Sequence, residues 1–194
     1  EESQYIHRFT LYMLNHVILD AHEFNIKKTV AINVSPQCLM VETFSGEVEK
    51  ILNRHNRDGS KICFEVTEST ILIQSPIVEK NLEHLAKLGI KLSIDDFGTG
   101  HSSISLLQNL RFSELKMDRL FINQISLDPF SKAAIESTLL VANSLRVDLC
   151  IEGVETEIER DWLISKGCLI GQGYFYSKPL PPKEVFNTAD IALA

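Results

Sequence analysis

The sequence predicts an α/β fold, a (β/α)8 TIM-like barrel incomplete at its N-terminus with about six βα units present, and three observations lead there. A leading helix is followed by strand and helix repeated six times with short connections, a rhythm that builds a parallel sheet. The strands are short and almost wholly apolar, as strands covered on both faces are. Polar residues then fall at, or just past, the C-terminal ends of different strands: Asn33, Glu65, Asp95 with Asp96, Lys116, Glu152 and Gln172. A barrel gathers those ends at one mouth, where the chemistry of such folds takes place. An open doubly wound sheet would spread them along an edge, and the glycine-rich phosphate loop of the dinucleotide fold does not follow the first strand.

The first helix is predicted over residues 5–24, where Ile6, Phe9, Leu11, Leu14, Val17, Ile18 and Ala21 recur at helical spacing. A strand over 28–34 ends in Asn33-Val34-Ser35-Pro36, and Ser35 or Pro36 opens a helix over 37–55. Asn56-Arg57-Asp58-Gly59 is a turn. The second strand covers 61–66, Pro76 starts a helix that stops at Gly89, and the third strand covers 91–95. An amphipathic segment over 103–110, a fourth strand over 114–117 and a long helix over 131–145 come next. The fifth strand, 148–151, delivers Glu152-Gly153-Val154-Glu155; a helix over 157–166 ends at Gly167. The sixth strand, 168–170, leads into Gly171-Gln172-Gly173-Tyr174, and Pro179, Pro181 and Pro182 precede a final short helix.

A chain of 194 residues with 44% hydrophobic content fills one domain with a real core, expected to span 1–194. A barrel of this type needs eight strands and about 250 residues, so one or two strands are expected to lie N-terminal to Glu1. The lack of a starting Met fits a piece cut from something longer. No apolar run is long enough to span a membrane and no secretory leader opens the chain, so the domain is expected to be cytoplasmic. The parent protein is left free to be membrane-anchored through the missing region. A net charge of −7 argues against a footprint for duplex nucleic acid. Cys38, Cys63, Cys150 and Cys168 form no C-x-x-C pair and read as reduced core residues.

The chemistry centres on Ile94-Asp95-Asp96-Phe97-Gly98-Thr99-Gly100. Adjacent carboxylates raise each other's pKa, and a divalent cation, for which carboxylate oxygens are natural ligands, is the usual way to keep both ionised. Successive strand residues point to opposite faces, but at a strand's end, where the chain turns, both can reach one site. Gly98 and Gly100 provide the freedom for that turn.

Six segments together resemble the EAL domain, the family of cyclic di-GMP phosphodiesterases: Asn33-Val34-Ser35-Pro36, Phe64-Glu65-Val66-Thr67-Glu68-Ser69, Asp95 through Ser103, Leu115-Lys116-Met117-Asp118, Ile151-Glu152-Gly153-Val154-Glu155, and Gln172-Gly173-Tyr174 with Pro179 beyond. The resemblance implies two divalent cations, Mg2+ or Mn2+, and hydrolysis of cyclic di-GMP to linear pGpG in bacterial signalling. By position it makes Asn33, Glu65 and Asp95 ligands of one ion, with Asp95 bridging to the second, Asp96 beside it, and Glu152 near that ion or its water. Lys116 would orient or help activate the attacking water, Glu68 would anchor the glycine loop after Asp96, and Gln172 would lie at the catalytic or substrate end. The family also implies a homodimer through the region of the Asp96–Gly100 loop and a sensory or regulatory domain N-terminal in the parent chain.

One departure stands against these matches. The Glu-Ala-Leu motif, whose glutamate is a metal ligand in the family, does not occur in these 194 residues. The competing expectation is therefore a catalytically inactive cyclic di-GMP receptor or a protein-interaction module. Other titratable residues have plainer readings. Glu155 and Glu157 suit the first turn of a helix, where the dipole favours acids. His101 reads as a surface loop residue, and His7, His16, His22, His55 and His84 show no zinc-ligand spacing.

Overall fold

The structure, a computed structural model, describes residues 2–99, 107, 110–123, 125 and 128–185. Its elements in chain order are α1 (Glu2–Glu23), β1 (Val30–Asn33), α2 (Pro36–Leu39), α3 (Phe44–Arg54), β2 (Ile62–Thr67), α4 (Glu68–Ile71), α5 (Pro76–Lys87) and β3 (Lys91–Phe97). They continue as β4 (Glu114–Met117), α6 (Arg119–Ile122), α7 (Pro129–Leu145), β5 (Asp148–Glu152), α8 (Glu157–Ser165), β6 (Ile170–Gln172) and α9 (Pro182–Val185). The six strands form one sheet in the order β1-β2-β3-β4-β5-β6. Spatial order that follows chain order without reversal is singly wound, the order of a (β/α)8 barrel; a doubly wound sheet reverses direction at a switch point. Most of the predicted segment 103–110, together with Gly100 and His101, lies outside the described residues.

The chain divides into two compact units, Glu1–Ser93 with Ser102–Phe112, and Ile94–His101 with Ser113–Ala194. In the first, β1 and β2 pair in parallel with Asn33 opposite Glu65. Their buried residues Ile32, Phe64 and Val66 meet Leu14 and Ile18 of α1, Phe44 and Val48 of α3, and Val78 and Leu85 of α5. Each fully buried side chain of this size contributes roughly 1.5–3 kcal/mol relative to exposure. In the second unit β4, β5 and β6 pair in parallel, with Lys116 opposite Cys150 and Glu152 opposite Gln172. Leu115, Met117, Leu149, Cys150 and Ile151 are all buried, so these strands are covered on both faces, as their apolar sequences predict.

Local chemistry sets the helix starts. Ser35 caps α2 with its hydroxyl on the Gln37 N–H, and Pro36 occupies the first helical position. Asp128 caps α7 by accepting from the N–H groups of Phe130 and Ser131. Thr156 and Glu159 form a capping box that opens α8. Gly167, with φ of 82°, follows the end of α8, as predicted. Glu155 precedes the cap and so lies outside the helix, whereas Glu157 occupies its first turn. All four cysteines are buried free thiols.

One predicted element is corrected. The helix expected over 37–55 is two helices, α2 and α3, separated by residues 40–43. No proline or glycine in that gap marks the break. The cause is tertiary: the Asn81 amide on α5, only 1% exposed, donates to the Leu39 and Val41 carbonyls at 2.8 and 2.9 Å. Its oxygen accepts from the Ser45 N–H at 3.3 Å. Asn81 thus satisfies backbone groups that a continuous helix would have satisfied itself. Strand limits shift by one or two residues: β3 runs on to Phe97, and β6 begins at Ile170 rather than at Cys168.

Asn81→Ala takes the Asn81 partner from the Leu39 carbonyl and the Ser45 N–H, at about 1–3 kcal/mol for each buried group left unsatisfied, while the Val41 carbonyl still accepts from the Phe44 N–H at 3.1 Å. The substitution is expected to lower unfolding free energy by about 2–4 kcal/mol in urea denaturation. A loss below about 0.5 kcal/mol, within the range of an ordinary surface substitution, would show that residues 40–43 do not depend on it.

Candidate metal and catalytic site

Four strand ends supply the site: β3 carries Asp95 and Asp96, β4 Lys116, β5 Glu152 and β6 Gln172. All five residues belong to the second unit. Register explains why they meet. Lys116 is opposite Cys150, and Glu152, two residues further along β5, returns to the same face of the sheet. The Lys116 ammonium is 2.6 Å from Glu152 Oε1 and 3.5 Å from Asp95 Oδ1. Lys116 itself is 4% exposed. Burying an ammonium is costly unless carboxylates accompany it, so this lysine is held between its two partners rather than solvated.

Asp95 and Asp96 would diverge in a regular strand. Asp96 instead adopts φ of 56°, in the left-handed region, although β3 continues to Phe97. Aspartate is one of the few residues other than glycine that visit this region without heavy penalty. The twist abolishes the alternation, and one oxygen from each of Asp95, Asp96 and Glu152 lies within 4.8 Å of the others. The sequence points to the glycines for this freedom. Gly98 is indeed left-handed, with φ of 94°, but the turn begins at Asp96 itself.

The electrostatics favour a cation. Burial, then the charges of Asp95 and Asp118, push the Asp96 carboxyl above its ordinary value, with Lys116 pulling the other way. Among the described residues of the cluster, three carboxylates face one ammonium, an excess of negative charge that suits a divalent ion. Asp95 Oδ1 is buried and accepts no hydrogen bond. A hard, all-oxygen donor set suits magnesium, manganese or calcium rather than a thiophilic metal. Asp95, Asp96 and Glu152 therefore fit a divalent cation on charge, donor type and an oxygen left without a hydrogen-bond donor. Cys150 is also nearby, but burial first, with Glu114 and Glu152 adding to it, pushes its thiol well above the ordinary value. It stays a neutral thiol, neither ligand nor nucleophile.

Asn33 ends β1 and pairs with Glu65, two residues before the end of β2, in the first unit, and the Val34 N–H donates to the Glu65 carbonyl at 2.8 Å. Glu68 is the first residue of α4 and is 4% exposed, so its carboxylate is a buried group rather than a surface one. Gln172 is exposed at the end of β6, where its backbone carbonyl accepts from the Val154 N–H at 3.0 Å. Asp118 belongs to a motif that resembles the family's, yet sequence reasoning assigns it no role. It raises the Asp96 pKa and caps α6 through the Leu120 N–H at 2.8 Å. An aspartate just before a short apolar run is the signal that could have found it.

A family model of the EAL domain matches residues 1–179. The cyclic di-GMP phosphodiesterase RocR of Pseudomonas aeruginosa is 35% identical over 158 residues, covering 81% of this chain and 40% of that protein. The chain thus spans well under half the length of this relative. Among solved structures, the phosphodiesterase PaMucR in its c-di-GMP complex aligns with a TM-score of 0.88 at 31% identity, over 95% of this chain and 82% of that one. BlrP1 of Klebsiella pneumoniae, solved with manganese and cyclic di-GMP, aligns at a TM-score of 0.82 and 30% identity, over 89% and 45% of the two chains. With its strand-end motifs, its singly wound sheet and a match that runs through nearly the whole sequence, the chain belongs to the EAL domain family.

Proposed function

We propose that the protein containing this chain hydrolyses cyclic di-GMP to linear pGpG in bacterial second-messenger signalling, with two divalent cations as cofactors. The observation that carries the reading is the buried Lys116 ammonium between Asp95 and Glu152, with Asp96 alongside. In the reaction a water oxygen bonds to phosphorus, the bond from phosphorus to one ribose 3′ oxygen breaks, and that oxygen leaves as a hydroxyl. One water is consumed and no other reactant is needed.

Asn33, Glu65 and Asp95 would hold one cation, and Asp95, Asp96 and Glu152 would hold the second. When bound, such ions polarise phosphate oxygens and lower the pKa of water. The chain's own groups then have distinct tasks. Lys116, with three donors and no acceptor, holds a water oxygen in line and adds positive charge beside the phosphate. Glu152 accepts a proton from that water. Glu68 acts from its buried position as an anchor for the loop after Asp96, and Gln172 offers its side-chain amide to the nucleotide. A dimer through the Asp96–Gly100 loop and an N-terminal regulatory domain in the parent chain belong to the same reading.

Turnover of cyclic di-GMP with Mg2+ or Mn2+ tests it, using this chain beside a version extended N-terminally. Hydrolysis is expected in the extended protein, and Lys116→Met there is expected to cost about 10²–10³-fold in kcat, the scale of removing one transition-state donor. Binding of the nucleotide without turnover by either protein would favour the receptor reading.

Asp96 gives a second prediction through pH. Its folded-state carboxyl is raised, so without metal the folded form binds the proton more tightly than the unfolded form. Stability at this residue is therefore greatest in acid and is lost as pH rises from the ordinary carboxylate range through the raised folded value. Asp96→Asn keeps a residue suited to positive φ and removes the charge. With chelator present the variant is expected to melt higher than the parent at neutral pH, at about 2–4 °C per kcal/mol gained, with the difference vanishing in acid. Mn2+ should raise the parent's Tm and not the variant's. Equal melting at neutral pH, or equal response to Mn2+, would contradict the charge account.

A further inference from the structure

The acids of the site are carried by two turns, one after Asp96 and one after Glu152, and each turn has a left-handed glycine, Gly98 with φ of 94° and Gly153 with φ of 74°. Both glycines rest on the same short helix, α6, which follows the strand bearing Lys116. A Cβ on Gly98 would stand 3.1 Å from Phe121 Cζ and 3.2 Å from Phe121 Cε2. A Cβ on Gly153 would run into Arg119 Cβ, with Arg119 Cα 3.2 Å away. Neither neighbour touches an acid in these contacts; each supports the turn that aims one.

The helix beneath them is fastened independently. Ile122 is fully buried, and Asp118 caps the helix. Phe121 donates its N–H to the Asp118 carbonyl at 3.2 Å. Phe121 is only half-buried, so its ring is not explained by the hydrophobic core. Arg119 is exposed, yet its Cα and Cβ floor the Gly153 turn.

We infer that α6 is the positioning element of the site: Phe121 under Gly98 and Arg119 under Gly153 set the separation between the Asp96 and Glu152 carboxylates. The inference rests on the reading of Asp95, Asp96 and Glu152 as ligands of a divalent cation. Removing the Phe121 ring lets the Asp96 turn settle, and adding a methyl at Gly153 lifts the Glu152 turn from Arg119. Either change keeps every ligand's identity; Gly153→Ala also adds backbone strain, because φ there is 74°, so its Tm is read beside its Mn2+ affinity. Groups that orient metal ligands from outside cost about 10–100-fold in affinity when lost, so an effect of that size is expected.

The test is a titration of the N-terminally extended protein with Mn2+ alone, read by the electron paramagnetic resonance signal of free manganese, with Tm recorded for every variant. Phe121→Ala and Gly153→Ala are expected to weaken Mn2+ about 10–100-fold, and Phe121→Leu, which refills much of the space, to recover most of the loss. Leu163→Ala, a buried truncation in α8, is the stability control: it should lower Tm with Mn2+ affinity unchanged. If Phe121→Leu and Phe121→Ala both fold and bind Mn2+ as the parent does, the positioning role is overturned while the metal site stands. If Mn2+ affinity falls equally in Leu163→Ala, the effect is general loosening and the inference fails. A parent protein that binds no Mn2+, or binds it unchanged after Asp95→Asn, overturns the metal reading and the inference with it.

Discussion

Like charge gathered in a half-buried place is the constraint around which the second unit is arranged. Asp95, Asp96 and Glu152 approach one another within 4.8 Å, and their mutual repulsion is answered by a buried lysine that lies against two of them. Lys116 is in turn tolerable in its position only because those carboxylates are there. The arrangement depends on a parallel register that puts Lys116 and Glu152 on one face, and on a left-handed residue that brings Asp96 round to join Asp95. Without Lys116 the carboxylates lose their compensating charge, and without them the buried ammonium loses its partners. One ammonium does not balance three carboxylates, and the remaining charge is what suits the cluster to a cation.

Strain is placed where it has a use. Asp96 holds a backbone conformation that costs most residues energy, and Gly98 and Gly153 take similar conformations close to neighbouring atoms. Non-glycine residues with positive φ persist where surrounding structure over-determines them. Here strand β3 fixes the chain before Asp96, and packing on α6 fixes it after. The buried apolar residues of β4 and β5 supply the rigid base from which the strand ends project, and Lys116 is the one charged side chain those two strands bury.

Much of this was legible in the sequence, for physical reasons. Strands covered on both faces must be apolar, so the runs around Phe64, Leu115 and Ile151 stand out, and a carboxylate or ammonium ending such a run is too costly to be idle. What could not be read were features produced by distant contacts. The break at residues 40–43 is made by Asn81, some 40 positions further along, and no local propensity records it. The start of β6 is set by pairing of Ile170 with Cys150, whereas apolar character alone favours Cys168. Helices α4 and α6 are four residues each, too short for periodicity to register, so the part α6 has beneath Gly98 and Gly153 was invisible. Asp96 looks like the second half of a turn signal; that it carries the left-handed angle itself, although β3 runs on past it to Phe97, has no mark in the local sequence.

The most direct measurement is anomalous diffraction from crystals of the N-terminally extended protein grown with manganese. The account predicts a manganese peak within coordination distance of Asp95, Asp96 and Glu152 carboxylate oxygens. Manganese found only at other acidic residues, with these three carboxylates unliganded at saturating metal, would contradict the claim that this cluster is a cation centre.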